Sequence, residues 1–180
     1  MNTTENLISN GCPAIAPQPI NQLVKPVKFP AQPQEWKIVS LRECPTPDTL
    51  MLCDTPEKVV EYWERHLKEH PYVSADCETL VVLLLNTRRR VKGHQLVSIG
   101  TMDTLLVSPS SVFRTAIVSN AAAIILAHSH PSGDATPSTA DIKVTRDLMR
   151  AGQLVKIEVL DHVIIGNHQH ASLRQLGYLY

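Results

Sequence analysis

The segment from residue 121 to residue 130, AAAIILAHSH, restricts the possible folds of this chain more than any other. It is apolar up to its last three residues, and Pro131 and Gly133 follow it. An uninterrupted apolar run of this length, bounded by turn residues, is typical of a strand buried within a sheet. We therefore predict a buried strand over 121–130 whose carboxyl end carries two histidines, His128 and His130.

The rest of the chain alternates between helical and strand periodicity. Apolar residues recur at helical spacing after Pro56, and period-two or continuous apolar patterns begin after Glu78. The predicted helices span residues 57 to about 70, 108 to about 119, 138 to about 151 with a stop at Gly152, and a short stretch from Ser172. The predicted strands span 38–41, 79–85, 91–99, 121–130, 155–160 and 163–165. This order of elements predicts an α/β fold with a mixed sheet flanked by helices.

The first 36 residues differ in composition from the rest. Six prolines fall within the first 33 residues, which prevents a regular helix and favours extended chain. We predict a Pro-rich arm over 1–36, either disordered or laid along a partner surface, and one folded domain over 37–180.

The charge and cysteine content of the chain argue against a nucleic-acid-binding protein and against a disulfide-rich scaffold. Lys plus Arg and Asp plus Glu each total 17, so no large field towards nucleic acid is predicted. The basic run at Arg88, Arg89 and Arg90 fits a solvated hairpin turn better than a phosphate-binding patch. The four cysteines have neither CxxC spacing nor the density of a disulfide scaffold. With no leader or membrane-spanning pattern in the sequence, we expect a cytoplasmic protein with no membrane partner.

Two histidines and one aspartate have spacings that suit a metal. Residues i and i+2 of a strand point to the same side, so His128 and His130 share a face. Asp141, in the first turn of the predicted helix after Ser138, can supply a third ligand. Three protein ligands leave one position for water, which is typical of catalytic Zn²⁺. The alternatives are ordinary strand-end histidines and a capping box between Ser138 and Asp141; the same ligand types also occur at iron-oxygenase sites.

Two further residues are candidates for catalysis. Glu78 precedes an apolar strand, where it can act as the proton acceptor for a metal-activated water or simply as an exposed charge at a strand end. Ser138 can donate its hydroxyl to a developing oxyanion, although on sequence alone helix capping explains this serine better.

These residues together resemble a known family. The stretch HSHPSGDATPSTAD fits the pattern His-x-His-x7-Ser-x2-Asp of the JAMM or MPN+ metalloproteases, and it is especially similar to RadC-like JAB domains. Further similarity lies in Glu78 ahead of VVLLLN, in SIGTMD, in NAAAIILAHSHPSGD and in LDHVIIG, so that the resemblance covers about residues 54–180.

The resemblance implies a fold, a metal and an activity. The implied fold is a cytidine-deaminase-like α/β sandwich over 37–180, and the implied metal is Zn²⁺ bound by His128, His130 and Asp141. Glu78 is then the general acid and base, and Ser138 the transition-state stabiliser. The implied reaction is hydrolysis of a peptide or isopeptide bond, for which a ubiquitin-like protein is one possible substrate. The family also carries a traditional association with DNA repair.

Some features depart from the family pattern or stay open. Residues 1–53 do not resemble the helix-hairpin-helix module of full-length RadC-like proteins, which weakens any inference of DNA binding. The competing hypothesis is a non-enzymatic module in which the JAB scaffold binds a partner or single-stranded DNA and the metal only stabilises the fold. Asp161 and His162 fit either a turn between strands or hydrogen-bonding support for the metal site. His168 and His170 are predicted to be surface histidines.

Overall fold

A computed structural model describes residues 50–100 and 107–179 of the chain. The predicted arm over 1–36 and the predicted strand over 38–41 lie outside these residues. The described residues form α1 (Pro56–His66), β1 (Thr79–Leu85), β2 (Val91–Ile99), α2 (Pro109–Val118), β3 (Ala123–Ser129), α3 (Thr139–Val155), β4 (Glu158–Ile165) and β5 (His170–Ser172).

The strands form one five-stranded sheet in the order β2-β1-β3-β4-β5. The pair β3–β4 is parallel, whereas β1 pairs antiparallel with both β2 and β3, and β5 pairs antiparallel with β4. The predicted α/β class, a mixed sheet flanked by helices, is therefore confirmed. The predicted hairpin is also present, and its turn is closed by the Asn86 side chain, whose Oδ1 accepts hydrogen bonds from the amides of Arg88 and Arg90.

Two apolar cores lie on opposite faces of the sheet. Every residue of β1 is buried, because its side chains alternate between the two cores. On one face α1 contributes Val59 and Trp63, which pack with the odd-numbered residues of β1. On the other face α2 and α3 contribute Phe113 and Leu148, which pack with the even-numbered residues. The central strands are thus covered on both sides, as the apolar sequence of β3 predicts.

Two helix boundaries differ from the sequence-based prediction. Helix α1 ends at His66 and not near residue 70, and its end closes through a hydrogen bond from the Leu67 amide to the Trp63 carbonyl. Gly152 does not end α3, which continues to Val155 and is closed by Lys156 in the left-handed conformation. The glycine is required by packing, because a Cβ at this position would lie 2.5 Å from the carbonyl oxygen of Ile157.

The carboxyl-terminal part also needs correction. The predicted break at Asp161 and His162 is absent, and β4 runs through both residues as one strand. Hydrogen bonds to their side chains compensate for burying them, so the polar pair does not interrupt the sheet. The predicted short helix from Ser172 is also wrong: β5 ends at that residue, and turns follow as far as Gly177.

No helix within 50–100 and 107–179 is long and apolar enough to cross a bilayer.

Candidate metal centre

The candidate site lies where the carboxyl end of β3 meets the start of β1 and the start of α3. The antiparallel pairing of β1 with β3 places Leu80 opposite His128 and Thr79 opposite Ser129. Glu78, one residue before β1, therefore lies next to the end of β3. The loop after His130 turns the chain back, so that the first turn of α3 faces the same point.

The structure brings Glu78, His128 and His130 together. One ligand atom from each of these residues lies within 4.8 Å of the other two. The distance between Nε2 of His128 and Oε2 of Glu78 is 3.8 Å. The two imidazole rings are 4.7 Å apart between centroids and nearly perpendicular, at 87°. This cluster, two imidazoles and a carboxylate, can hold a metal ion.

Asp141 lies close to both histidines. Its Oδ1 lies 3.1 Å from Nδ1 of His128, and its Oδ2 lies 3.6 Å from Nε2 of His130. Burial by itself would raise the pKa of Asp141, but contact with His128 and hydrogen bonds from Ser138 hold that pKa well below its usual value. The lowered pKa favours the ionised carboxylate of Asp141, although Asp141 is not among the three residues whose ligand atoms all lie within 4.8 Å of one another.

Ser138 and Asp141 also form the predicted capping box of α3. The amide and the hydroxyl of Ser138 donate to Oδ2 of Asp141 at 2.7 and 2.6 Å, and the Asp141 amide donates to Oγ of Ser138 at 3.1 Å. These bonds satisfy exposed helix-end groups and fix the carboxylate. Because they use Oδ2, the other oxygen is directed at His128. Capping and metal ligation by Asp141 are therefore compatible.

His130 is oriented by the loop that follows it. Its Nδ1 lies 2.7 Å from the carbonyl oxygen of Asp134, which can only accept, so Nδ1 carries the proton and Nε2 keeps its lone pair. The loop is held against the end of β4, because the Asn167 amide donates to the Gly133 carbonyl at 2.8 Å. Gly166 allows this close approach, since a Cβ there would lie 2.3 Å from the oxygen of Gly133.

The residues of the site fit a metal ion. His128 is buried, and neither of its ring nitrogens forms a hydrogen bond of normal geometry among the described residues, even though Nδ1 lies close to Asp141. A buried polar atom without a partner is unfavourable by about 1–3 kcal/mol, and a coordinated metal removes that penalty. Two imidazoles with nearby carboxylates form a ligand set suited to Zn²⁺ and to other divalent transition metals.

Asp161 and His162 lie within β4 and point in different directions. Asp161 borders a cavity of about 520 Å³ beneath the start of α1, where it accepts hydrogen bonds from Ser172 and from the Arg174 amide. Burial is the main reason why its pKa is raised. His162 is fully buried beside His128, and burial lowers its pKa to about 3. The interpretation of the pair as a turn is wrong, and only His162 adjoins the candidate site.

His168 and His170 are surface histidines, as predicted, and His168 lines the cavity that opens beside His130. Both are exposed, and His170 Nε2 lies 3.8 Å from Glu57 near the start of α1.

Two residues near the site, Thr145 and Gly166, were not predicted from the sequence, whereas His162 was a candidate for support of the metal site. Thr145 and His162 contact each other behind Asp141, and Gly166 supports the loop after His130. Gly166 follows directly after the apolar strand segment VII, which is a detectable signal of a close approach. Nothing in the sequence pairs Thr145 with His162, because their contact depends on how α3 packs against β4.

A cavity of about 400 Å³ opens beside His130, between the end of α1 and the loops that follow β3 and β4. Its lining combines apolar groups such as Trp63 and Val73 with polar groups such as Asn167. A larger cavity, of about 630 Å³, lies near Gly152 and Lys156 at the other end of α3. Only the smaller of these two cavities adjoins the candidate metal centre.

Comparisons with known proteins agree with this architecture. The family model described as the RadC-like JAB domain matches residues 53–178. Over 102 residues the chain is 48% identical to a UPF0758 protein of Bacillus cereus, an overlap that covers 57% of this chain and 45% of the relative. Over 124 residues it is 42% identical to a UPF0758 protein of Caldanaerobacter subterraneus, covering 69% of this chain and 51% of the relative.

A UPF0758 protein of Chloroflexus aggregans is 50% identical over 102 residues, which cover 57% of this chain and 44% of that protein. The chain spans about half the length of the curated relatives it matches.

Proposed function

The chain belongs to the RadC-like JAB domain family, and from that premise we propose that it is a zinc-dependent hydrolase that cleaves a peptide or isopeptide bond. The observation that carries the proposal is the buried His128, whose ring nitrogens form no hydrogen bond of normal geometry within the part of the chain that the structure describes and which shares a cluster with His130 and Glu78. A ligand set of this kind at the end of a sheet, open to a neighbouring cavity, suits a catalytic centre better than a purely structural one.

The two carboxylates differ in ways that suit two roles. The Asp141 side chain is 1% exposed and held by its capping box, whereas the Glu78 side chain is 34% exposed. A ligand must be fixed, while a group that exchanges protons with water must be reachable by water. We therefore propose His128, His130 and Asp141 as the metal ligands and Glu78 as the general acid and base.

Each residue of the proposed site then has a defined role in the hydrolysis. When bound, Zn²⁺ supplies Lewis acidity and lowers the pKa of a water to about 7. Glu78 accepts the proton of the attacking water and returns it to the departing amine. Ser138, which now donates to Asp141, can turn its hydroxyl towards the oxyanion that develops on the carbonyl. The cavity beside His130 can accept the substrate chain next to the bond that is cut.

The proposed substrate is a peptide or protein, with a ubiquitin-like or isopeptide-linked protein as one option. The support is chemical: an amide carbonyl suits the ligand set and the acid–base residue described above. Nucleic acid is a weaker proposal, because a net charge of zero predicts no strong overall attraction to the phosphate backbone.

Replacing Glu78 by Gln tests the proposal. We expect the Glu78→Gln variant to bind zinc like the wild type but to lose about 10²–10⁴-fold in turnover, since the amide cannot take up the proton. Cleavage is measured by mass spectrometry on a library of peptides and isopeptide-linked peptides, with and without a chelator. His128→Ala should lose the metal itself.

Asp76→Asn is the matched control, because Asp76 is an exposed carboxylate two residues before Glu78. Undiminished turnover in Glu78→Gln would remove Glu78 from the mechanism. Cleavage that persists after the chelator has removed all metal would contradict the zinc-dependent hydrolase.

A further inference from the structure

A second buried histidine lies directly behind the candidate metal centre. In the parallel pair β3–β4, Leu126 is opposite His162 and His128 is opposite Ile164, so the two histidines lie on adjacent strands. Their rings stack with centroids 5.9 Å apart and an angle of 27° between planes. His162 is 0% exposed, and thus forms part of the wall against which His128 is placed.

Thr145 joins this histidine to the helix that carries Asp141. The Thr145 hydroxyl donates to the main-chain carbonyl of Asp141 at 2.6 Å, and its oxygen lies 2.7 Å from Nδ1 of His162. A hydroxyl has a single proton, and here that proton goes to the carbonyl. Nδ1 of His162 must therefore be the donor in the second bond, which leaves Nε2 with a bare lone pair.

Fold stability alone does not require such a pair. Nε2 of His162 has no hydrogen-bond partner among the described residues, and an unpaired buried acceptor is unfavourable. Replacing both members of a buried polar pair by apolar groups of the same shape is often neutral or stabilising. A pair with one unsatisfied nitrogen is better explained by its position, one helical turn behind Asp141 and in ring contact with His128.

We propose that Thr145 and His162 are positioning residues, forming a buried connection that fixes Asp141 of α3 relative to His128 of β3 and so sets the affinity of the site for its metal. The inference rests on the metal centre of the proposed function. Thr145 acts through the backbone of Asp141, and His162 acts through its ring contact with His128. Neither residue is expected to touch the metal or the substrate.

A set of four variants separates positioning from simple stabilisation. Thr145→Val keeps the shape but removes the hydroxyl, and Thr145→Ser restores it. His162→Phe keeps a ring against His128 but removes Nδ1. Leu148→Val, on the same helix and buried in the apolar core, is the control for loss of stability.

Zinc affinity is measured by competition with a chromophoric chelator, and the thermal midpoint of each metal-free variant is recorded alongside it. We expect Thr145→Val and His162→Phe to bind zinc about 10–100-fold more weakly, as is typical when support for metal ligands is removed. Thr145→Ser should recover most of the affinity, and Leu148→Val should bind like the wild type whatever its midpoint. Folded Thr145→Val and His162→Phe variants with unchanged affinity would overturn the inference.

Nitrogen NMR of the metal-free wild type provides a readout that needs neither zinc nor a variant. It should show His162 protonated on Nδ1 and bare on Nε2, and the opposite tautomer would overturn the inference. If the wild type binds no zinc at His128, the proposed metal centre fails, and the tautomer still decides whether the hydrogen-bonded connection exists. If the wild type binds zinc, and the Thr145→Val and His162→Phe variants bind it with the same affinity, the proposed function stands and the positioning roles are wrong.

Discussion

Cys53 and Cys77 occupy environments that differ in their access to water. Cys53 is fully buried against α1, and burial, followed by the negative charge of Asp54, raises its pKa to about 12. Cys77 is only half-buried and precedes Glu78 at the edge of the candidate site. Because the thiolate is the reactive form, the two thiols should differ in their chemistry.

We predict that iodoacetamide alkylates Cys77 at least tenfold faster than Cys53 in the folded protein, since Cys53 is both covered and protonated. The rates at Cys53 and Cys77 are read by mass spectrometry of the digested protein, with fragment ions that distinguish them from the chain's other two cysteines. In denaturant the two rates should converge, which is the control. Equal rates in the folded protein would contradict the burial of Cys53 beneath α1.

The residues of the site were predictable from sequence wherever their geometry is local. His128 lies at the end of β3 and His130 is the first residue after that strand, so their spacing of two residues brings them together, and Asp141 follows Ser138 at the spacing of a capping box. Thr145 and His162 were not paired by any such rule. Their contact joins a helix to a strand 17 residues later, and its register depends on packing.

The elements show the same division between local and long-range causes. Strands β1 and β2 were predicted to their terminal residues, because alternation and the hairpin turn are encoded in neighbouring positions. The sequence predicts a shorter α3 than the structure has, because a glycine such as Gly152 commonly ends a helix. Gly152 is needed because the backbone at Ile157 lies close to it, and no local sequence pattern reveals this contact.

Helix α3 ends at a strained residue. Lys156 closes it with φ 60° and ψ 36°, a conformation that is unfavourable for side chains with a Cβ. We predict that Lys156→Gly raises the free energy of unfolding by about 0.5–1 kcal/mol, because glycine adopts this conformation without strain. Urea denaturation followed by circular dichroism measures the change.

Lys156→Ala is the control for the side chain, since alanine keeps the Cβ and should give no gain. A Lys156→Gly variant no more stable than Lys156→Ala would show that the helix does not end in this way.

The described residues form one sheet with an apolar core on each face, and the candidate metal centre lies at one end of that sheet. The start of β1, the end of β3 and the start of α3 meet there, so the site draws on elements separated by about 60 residues of sequence, from Glu78 to Asp141. The polar groups at that end are held by the packing of α1, α2 and α3 on the sheet. Long-range organisation of this kind was predictable as a class, α/β, but not in its detailed contacts.

The most direct test of the account is the position of a metal in crystals of the wild-type protein loaded with zinc, located by anomalous diffraction at the zinc edge. We expect a peak about 2.0–2.2 Å from a nitrogen of His128, a nitrogen of His130 and an oxygen of Asp141, with Glu78 nearby. No peak at this place, with the three side chains turned away from one another, would contradict it.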